Sequence, residues 1–252
     1  MTLLLLAGTS EARRLAVALA EDVPAIATLA GATQEPLPMP LPTRYGGFGS
    51  AEGFACFLDA EGITAVVDAT HPFAARITER TLAVCRAQGL PLLRLERPGW
   101  TPGPGDRWTF VADEAEAVRL IPDDATVFLA TGRQSLTAWR GVRARAAYLR
   151  VIDAPIEAFP FRGGYIVARP PFDRSAEVDQ FRRLGVTHLV VKDSGAAEAR
   201  AKLDAARDLG IEVVVLRRPP EPEGLLVVRT VEEALAWVTT LPFRSSQPSL
   251  DR

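Results

Sequence analysis

Two cysteines, two histidines and two lysines are all that this 252-residue chain has of the side chains most used in metal, disulfide and amine chemistry. Cys56 and Cys85 form no Cys-x-x-Cys pair, and neither His71 nor His188 is spaced as a zinc partner, which excludes a structural zinc site and a disulfide framework. No segment approaches the ~20 consecutive apolar residues that cross a bilayer. The opening run Met1-Thr2-Leu3-Leu4-Leu5-Leu6-Ala7-Gly8 lacks the basic flank of a signal peptide, so a soluble cytoplasmic protein is expected. Charge of one sign is lacking too: 29 basic against 31 acidic residues leave a formal net charge of -2. That balance excludes a dedicated nucleic-acid binder while leaving local arginines free to hold an anion. Three motifs are absent as well. There is no Gly-x-Gly-x-x-Gly, no Gly-Lys-Ser/Thr phosphate loop and no Gly-x-Ser-x-Gly elbow, which removes support for ATP hydrolysis and for a Ser-His-Asp hydrolase.

What is present is ordinary globular composition, 48% apolar and 24% charged, at a length for one or two domains. Continuous apolar runs at Leu3–Ala7, Ala25–Leu29, Thr64–Val67, Pro91–Leu95, Thr126–Leu129, Ala146–Ile152, His188–Val191 and Ile211–Leu216 read as buried strands. Between them, helical spacing marks the stripe Ala12, Leu15, Ala16, Leu19 after a Thr9 or Ser10 cap. It also marks 51–60, 74–88, 113–120, 133–139, 175–184, 196–209 and 230–240. Strands alternating with helices predict an α/β protein with mostly parallel sheets covered on both faces. The Pro- and Gly-rich stretch 97–106 marks a boundary. The expectation is therefore two Rossmann-like three-layer domains, 1–98 and 99–244, with an interdomain cleft and a frayed tail at 245–252. An echo between Asp68-Ala69-Thr70 and Leu129-Ala130-Thr131 is too short to establish a duplication.

Ligands of open parallel sheets bind beyond the carboxyl ends of the strands, and this chain places its unusual residues there. Gly8, Thr9, Ser10 and Glu11 follow the first strand. A glycine turn and a helix start suit an anion, to which the Thr9 and Ser10 hydroxyls would add donors for a diphosphate; simple helix capping is the plainer role. No Asp or Glu closes the second strand, where Gly31-Ala32-Thr33 stands, and that leans towards a ribose 2'-phosphate. Arg44 with Gly46 and Gly47 is either a phosphate contact with close backbone approach or a surface turn. Thr70, His71 and Phe73 follow the strand ending at Asp68. His71 either touches ligand or caps the next helix, whereas His188, within an apolar strand start, reads as structural. Arg133 follows Thr131-Gly132, and Lys192 precedes Asp193-Ser194-Gly195. Both cations are candidates for an anionic substrate, with a rim ion pair to Asp193 the alternative for Lys192.

At these same residues the chain resembles the precorrin-6A reductase family of cobalamin biosynthesis. The match runs from Gly8-Thr9-Ser10-Glu11-Ala12 through Arg44 and Gly46-Gly47-Phe48-Gly49 to Asp68-Ala69-Thr70-His71-Pro72-Phe73-Ala74. It continues with Ala130-Thr131-Gly132-Arg133, Lys192-Asp193-Ser194-Gly195 and Arg217-Arg218-Pro219. The resemblance implies NADPH-dependent hydride transfer to carbon 19 of precorrin-6A with protonation at carbon 18, giving precorrin-6B. It also implies two α/β domains with the cofactor between them. Cofactor binding then falls to Gly8, Thr9, Ser10, Glu11, Arg44, Gly46, Gly47 and Thr70. The polycarboxylate tetrapyrrole falls to His71, Phe73, Arg133, Lys192, Ser194 and Gly195, with Trp100 a looser apolar wall. His71 and Lys192 are the catalytic candidates for the proton, beside bound water. Neither a metal nor a nucleic-acid or membrane partner is expected, and a monomer is the default. The alternatives are a cobalt-precorrin-6A reductase using NADH, an S-adenosylmethionine-dependent methyltransferase, and a non-enzymatic two-lobed binding protein.

Overall fold

The computed structural model describes residues 2–31, 38–169 and 171–242; the expected tail at 245–252, and Ala32 and Thr33, lie outside them. The chain forms two compact units: 1–98 together with 220–252, and 99–219. The first boundary falls in the Pro- and Gly-rich stretch, but the chain leaves the second unit again after Pro219. Residues 220–244, expected in the second domain, belong to the first, because strand β12 (Leu226–Val228) hydrogen-bonds to β5 (Leu92–Leu95).

The first unit holds β1 (Thr2–Leu6), β2 (Ala25–Leu29), β3 (Thr43–Tyr45), β4 (Ile63–Asp68), β5 and β12, in the order β12-β5-β4-β1-β2-β3. Its helices are α1 (Ser10–Leu19), α2 (Ala51–Ala60), α3 (Ala75–Gln88) and α7 (Val231–Thr239). Leu3 and Leu5 of β1 pack with the Ala12, Leu15, Ala16, Leu19 stripe of α1 and with Val231, Ala234 and Val238 of α7. Leu4 and Leu6 point the other way, against Phe54 and Leu58 of α2 and Val84 and Cys85 of α3. Alternate residues of one strand therefore feed two cores, which is why the strand is apolar throughout. A Thr230–Glu233 capping box starts α7, so the returning segment carries its own helix signal.

The second unit holds β6 (Trp108–Val111), β7 (Thr126–Ala130), β8 (Ala146–Val151), β9 (Gly163–Val167), β10 (His188–Lys192) and β11 (Glu212–Leu216), in the order β6-β11-β10-β7-β8-β9. It also holds α4 (Glu114–Leu120), α5 (Arg174–Leu184) and α6 (Ala201–Leu209), with 3-10 turns at Arg133–Gly141 and Ala197–Ala199. The helices expected at 133–139 and 196–209 are thus a 3-10 segment and a 3-10 turn leading into a shorter α-helix. Every strand pairing among the described residues is parallel, and each unit is a Rossmann-like sheet faced by helices, as expected. Among the described residues no helix is long and apolar enough to cross a membrane, and no group of His, Cys, Asp and Glu is placed to hold a metal ion.

Candidate functional site

In the first sheet the strand order reverses between β1 and β4, since the chain runs outward from β1 through β2 to β3 and then returns to β4 on the other side. A crevice opens beyond the carboxyl ends of such a pair. Here it is shallow and open, lined by Thr9, Glu11, Thr70, Pro72, Leu95, Glu96 and Arg97. A Cβ on Gly8 would sit 3.8 Å from both the His71 amide nitrogen and the Thr70 Cα. Both are ordinary van der Waals distances, so the backbone φ of +154°, and not crowding, is what favours glycine there.

Thr9 caps α1 by accepting from the Ala12 amide at 3.1 Å, and its hydroxyl donates to the Ala69 carbonyl at 2.9 Å. Ser10 donates to the Glu11 carboxylate at 3.2 Å. Glu11 is buried and paired with Arg97 and Arg14. Burial pushes its carboxyl up, but the Arg97 charge, its own backbone amide and hydrogen bonds from Arg97 and Ser10 outweigh that and hold it below the usual range. The expected donation of both hydroxyls to a diphosphate is therefore not how these side chains stand. Their protons go to the protein's own oxygens because the helix cap and the neighbouring strand end supply acceptors first.

Below the crevice lies a buried polar cluster that the sequence reading missed. Asp68 is fully buried and accepts from the Thr70 amide at 3.0 Å, the Thr70 hydroxyl at 2.7 Å and the Thr78 hydroxyl at 2.7 Å. It also pairs with Arg94 at 2.8 Å. Arg94 donates in addition to the Thr70 oxygen at 2.8 Å, to Glu96 at 2.9 Å and to the His71 carbonyl at 3.4 Å. The available signal was a lone arginine inside Leu92-Leu93-Arg94-Leu95, since a charge in a continuous apolar strand must have partners. His71 accepts the Phe73 amide on Nδ1 at 3.2 Å, which leaves the hydrogen of the neutral ring on Nε2. The Phe73 ring lies 5.8 Å from it.

Arg44, Gly46 and Gly47 stand apart from this crevice, at the end of edge strand β3. Arg44 donates to the Gly46 carbonyl at 2.7 Å and the Gly47 carbonyl at 3.1 Å, and its guanidinium lies 4.5 Å from the Phe48 ring centroid. It thus closes its own loop, and the cation reaches this corner already committed to two carbonyls.

In the second unit the strand order reverses between β7 and β10, which brings Thr131-Gly132-Arg133 and Lys192-Asp193-Ser194-Gly195 to neighbouring strand ends. Arg133 pairs with Glu157 at 2.7 Å, both exposed. Lys192 is half-buried; burial lowers its ammonium from the ordinary value and Glu114 opposes that. Ser194 is buried and accepts the Ala196 amide at 3.4 Å, and Gly195 has φ +67°. Asp193 accepts the Trp100 amide at 2.8 Å, and its carbonyl accepts from Arg218 at 2.9 Å. It ties down both the first and the last residues of the unit, which is a structural task. Trp100 is held a second time, by its indole donating to the Ala196 carbonyl at 3.2 Å. His188 is bonded to Thr187 at 2.9 Å and depressed by burial, in keeping with a structural role.

Comparison with known proteins gives one answer. The family model for precorrin-6x reductase CbiJ/CobK matches residues 2–239. A precorrin-6A reductase of Rhodococcus erythropolis is 44% identical over 96% of this chain and 99% of its own, and one of Rhodobacter capsulatus is 41% identical over 94% and 95%. A solved structure described as CobK precorrin-6A reductase superposes with a TM-score of 0.91 at 39% identity, covering 98% of this chain and 99% of that one. With fold, motifs and full-length relatives agreeing, the chain belongs to the precorrin-6x reductase CbiJ/CobK family.

Proposed function

We propose that the chain is a precorrin-6A reductase of cobalamin biosynthesis: precorrin-6A, NADPH and a proton give precorrin-6B and NADP+, with hydride delivered to carbon 19 and the proton to carbon 18. The observation that carries this reading is the full-length family match on a sheet whose order reverses at the Thr9–Thr70 crevice. The bound nicotinamide supplies the hydride. The chain's residues fit such a cofactor in the first unit: a glycine turn clear of side chains at Gly8, the amino end of α1 facing the crevice, and Arg97 beside it.

What the protein contributes is position and charge. Thr70 and the His71 carbonyl are fixed by Arg94 and Asp68, so the loop nearest the reacting end does not have to reorganise. The Lys192 ammonium holds a proton that the carbon-18 step can use; His71, neutral while Nδ1 accepts from the Phe73 amide, would first have to take up a proton to serve as the acid. Arg133 and Lys192, at neighbouring strand ends of the second unit, suit the carboxylates of the macrocycle; Arg133 would exchange Glu157 for a substrate carboxylate. Arg44 takes part in cofactor binding through the loop it closes around Gly46 and Gly47. The protein works as a cytoplasmic monomer in this reading, with no nucleic-acid partner.

Anaerobic oxidation of NADPH with precorrin-6A, followed by product mass, tests the proposal. A gain of two hydrogens that depends on both protein and NADPH is expected, with NADH and the cobalt-containing substrate as parallel arms. Turnover only with the cobalt substrate and NADH would replace this reading with its nearest relative.

A further inference from the structure

The chain passes between the two units twice, at Pro98–Gly99 and at Pro219–Pro220. Prolines stand at both crossings, and each locks its own φ and restricts the residue before it. Gly99 is the loose link of the first crossing, since glycine has the widest backbone freedom. Asp193, the residue after β10, closes on that link. Its Oδ1 accepts the Trp100 amide at 2.8 Å, and a Cβ on Gly99 would stand 2.4 Å from its Oδ2. Only glycine lets the carboxylate lie so close to the crossing. The second crossing is held from the same residue. Arg218 Nε donates to the Asp193 carbonyl at 2.9 Å and lies 3.7 Å from Oδ2, with both side chains largely buried. Among the described residues, the polar contacts of this carboxylate go to the crossings and none goes to its own loop. That loop is held without it, by the pairing of β10 with β11 and by Ser194 accepting the Ala196 amide.

We infer that Asp193 is a positioning residue for hydride transfer: by pinning both crossings it sets one fixed offset between them and the Lys192–Gly195 loop. The inference rests on the proposed function, in which the first unit holds the cofactor and Lys192 meets the substrate. Transfer then has to join groups held by different units, and a misplacement of about 1 Å can cost ~100-fold in rate. A substrate bound at a loop tied to both crossings has fewer ways to be misplaced than one bound at a loop tied to neither. Asp193 touches neither substrate nor cofactor in this role.

Two variants break the tie in different ways. Asp193→Ala removes the carboxylate; Gly99→Ala keeps it and drives it off the Trp100 amide. The intact chain, loaded with NADPH, is mixed anaerobically with saturating precorrin-6A, and the single-turnover decay of NADPH absorbance reads the transfer rate. Calorimetric titration with NADP+ reads the cofactor site, and hydrogen exchange of the second unit reports its folding. The rate is expected to fall about 10- to 100-fold in each variant, while the NADP+ dissociation constant stays within ~2-fold of wild type. Gly99→Ala in the Asp193→Ala background should cost less than ~2-fold more, because the atom it would strike is gone. A merely structural tie would lower the amplitude of the decay, through the folded fraction, and leave its rate alone. A wild-type rate in either folded variant overturns the inference, as do losses that multiply or an NADP+ affinity that falls in step with the rate. If Asp193→Ala does not fold, Gly99→Ala decides; if that chain also lacks native protection, the tie is structural and the inference falls. A folded wild type that does not oxidise NADPH with precorrin-6A overturns the proposed function, and this inference with it.

Discussion

The Asp68–Arg94 pair allows a sharp prediction. Arg94→Met keeps the length of the side chain and deletes the guanidinium, which leaves Asp68 fully buried without its ion-pair partner, the Arg80 charge alone remaining to offset it, and Glu96 without its nearest cation. Breaking a buried pair by removing one partner costs about 3–5 kcal/mol, mostly through the uncompensated charge. Asp68 would retain three donors, the Thr70 amide and the Thr70 and Thr78 hydroxyls, which places the expected loss near the lower end, about 3 kcal/mol. Asp68→Asn removes the charge that makes the loss large, so Arg94→Met in that background should cost roughly 1.5 kcal/mol less, a coupling well above the error of a double-mutant cycle. Because two units can unfold separately, a single bulk transition would mix them. Hydrogen exchange of the amides of β4 and β5 reports on the first unit alone. A loss below about 1 kcal/mol, or one that is the same with Asp and with Asn at position 68, would refute the account of this cluster.

The other predictions concern single groups. Burial pushes the Lys202 ammonium down from 10.5 to about 8, with Glu177 and Glu198 opposing and Arg150 adding to the fall. The unfolded chain then holds this proton where the folded one does not, so stability of the second unit should rise between about pH 8 and 10.5, by at most about 3 kcal/mol. Lys202→Met should flatten that rise in urea midpoints, and a wild type already flat across the window would contradict it. Glu11 has the opposite sign: its depressed carboxyl contributes stability that is complete above about pH 4.5 and is lost as pH falls through the folded value. Glu11→Gln should therefore shallow the acid limb of the first unit, measured by exchange in β1, and an unchanged limb would count against the Arg97 pairing. Gly163 has φ +130° and a Cβ there would meet the Ala147 carbonyl oxygen at 1.8 Å, so Gly163→Ala should release β9 and raise exchange across 163–167 at least ~10-fold. Unaltered protection in that variant would mean the strand pairing tolerates the side chain.

What could be read from the sequence follows the sheets' own anatomy. The eight strands with a neighbour on each side, β1, β2, β4, β5, β7, β8, β10 and β11, are the eight that stand out as apolar runs. The ones missed are β3, β6, β9 and β12, and each is an edge. An edge strand has one neighbour and exposed faces, as at Tyr45, Val167 and Leu226, so no continuous apolar run is required of it. Thr43–Tyr45 accordingly reads as part of a glycine turn. The misplaced domain boundary has the same cause. Nothing local in Leu226–Val228 says that its partner is β5, more than 130 residues earlier in the chain. Around the crevice, Thr9, Glu11 and Thr70 stand out in the sequence because turn and cap chemistry is local. The directions of their hydroxyl protons do not, since Ala69 and Asp68 are brought to them only by the pairing of β1 with β4.

The sheet orders also settle how the two halves correspond, and the short echo in the sequence points to the wrong alignment. In each sheet three successive strands run outward, β1-β2-β3 or β7-β8-β9, and the next two, β4-β5 or β10-β11, lie on the other side; the edge beyond them is closed by β12, which follows in the chain, or by β6, which precedes. On that order the end of β7 matches the end of β1, so Thr131-Gly132 answers Gly8-Thr9, while Lys192-Asp193-Ser194 answers Asp68-Ala69-Thr70. The matched ends differ in chemistry. In the first unit an aspartate stands at the close of β4, with threonine lone pairs and Glu11 and Glu96 around it. In the second a lysine stands at the close of β10, and Arg133 follows β7, while the Thr131 and Ser135 hydroxyls bond each other at 2.6 Å. One architecture is used twice with opposite polarity. The difference in charge between the two matched ends lies in a few strand-end residues and not in any difference of fold.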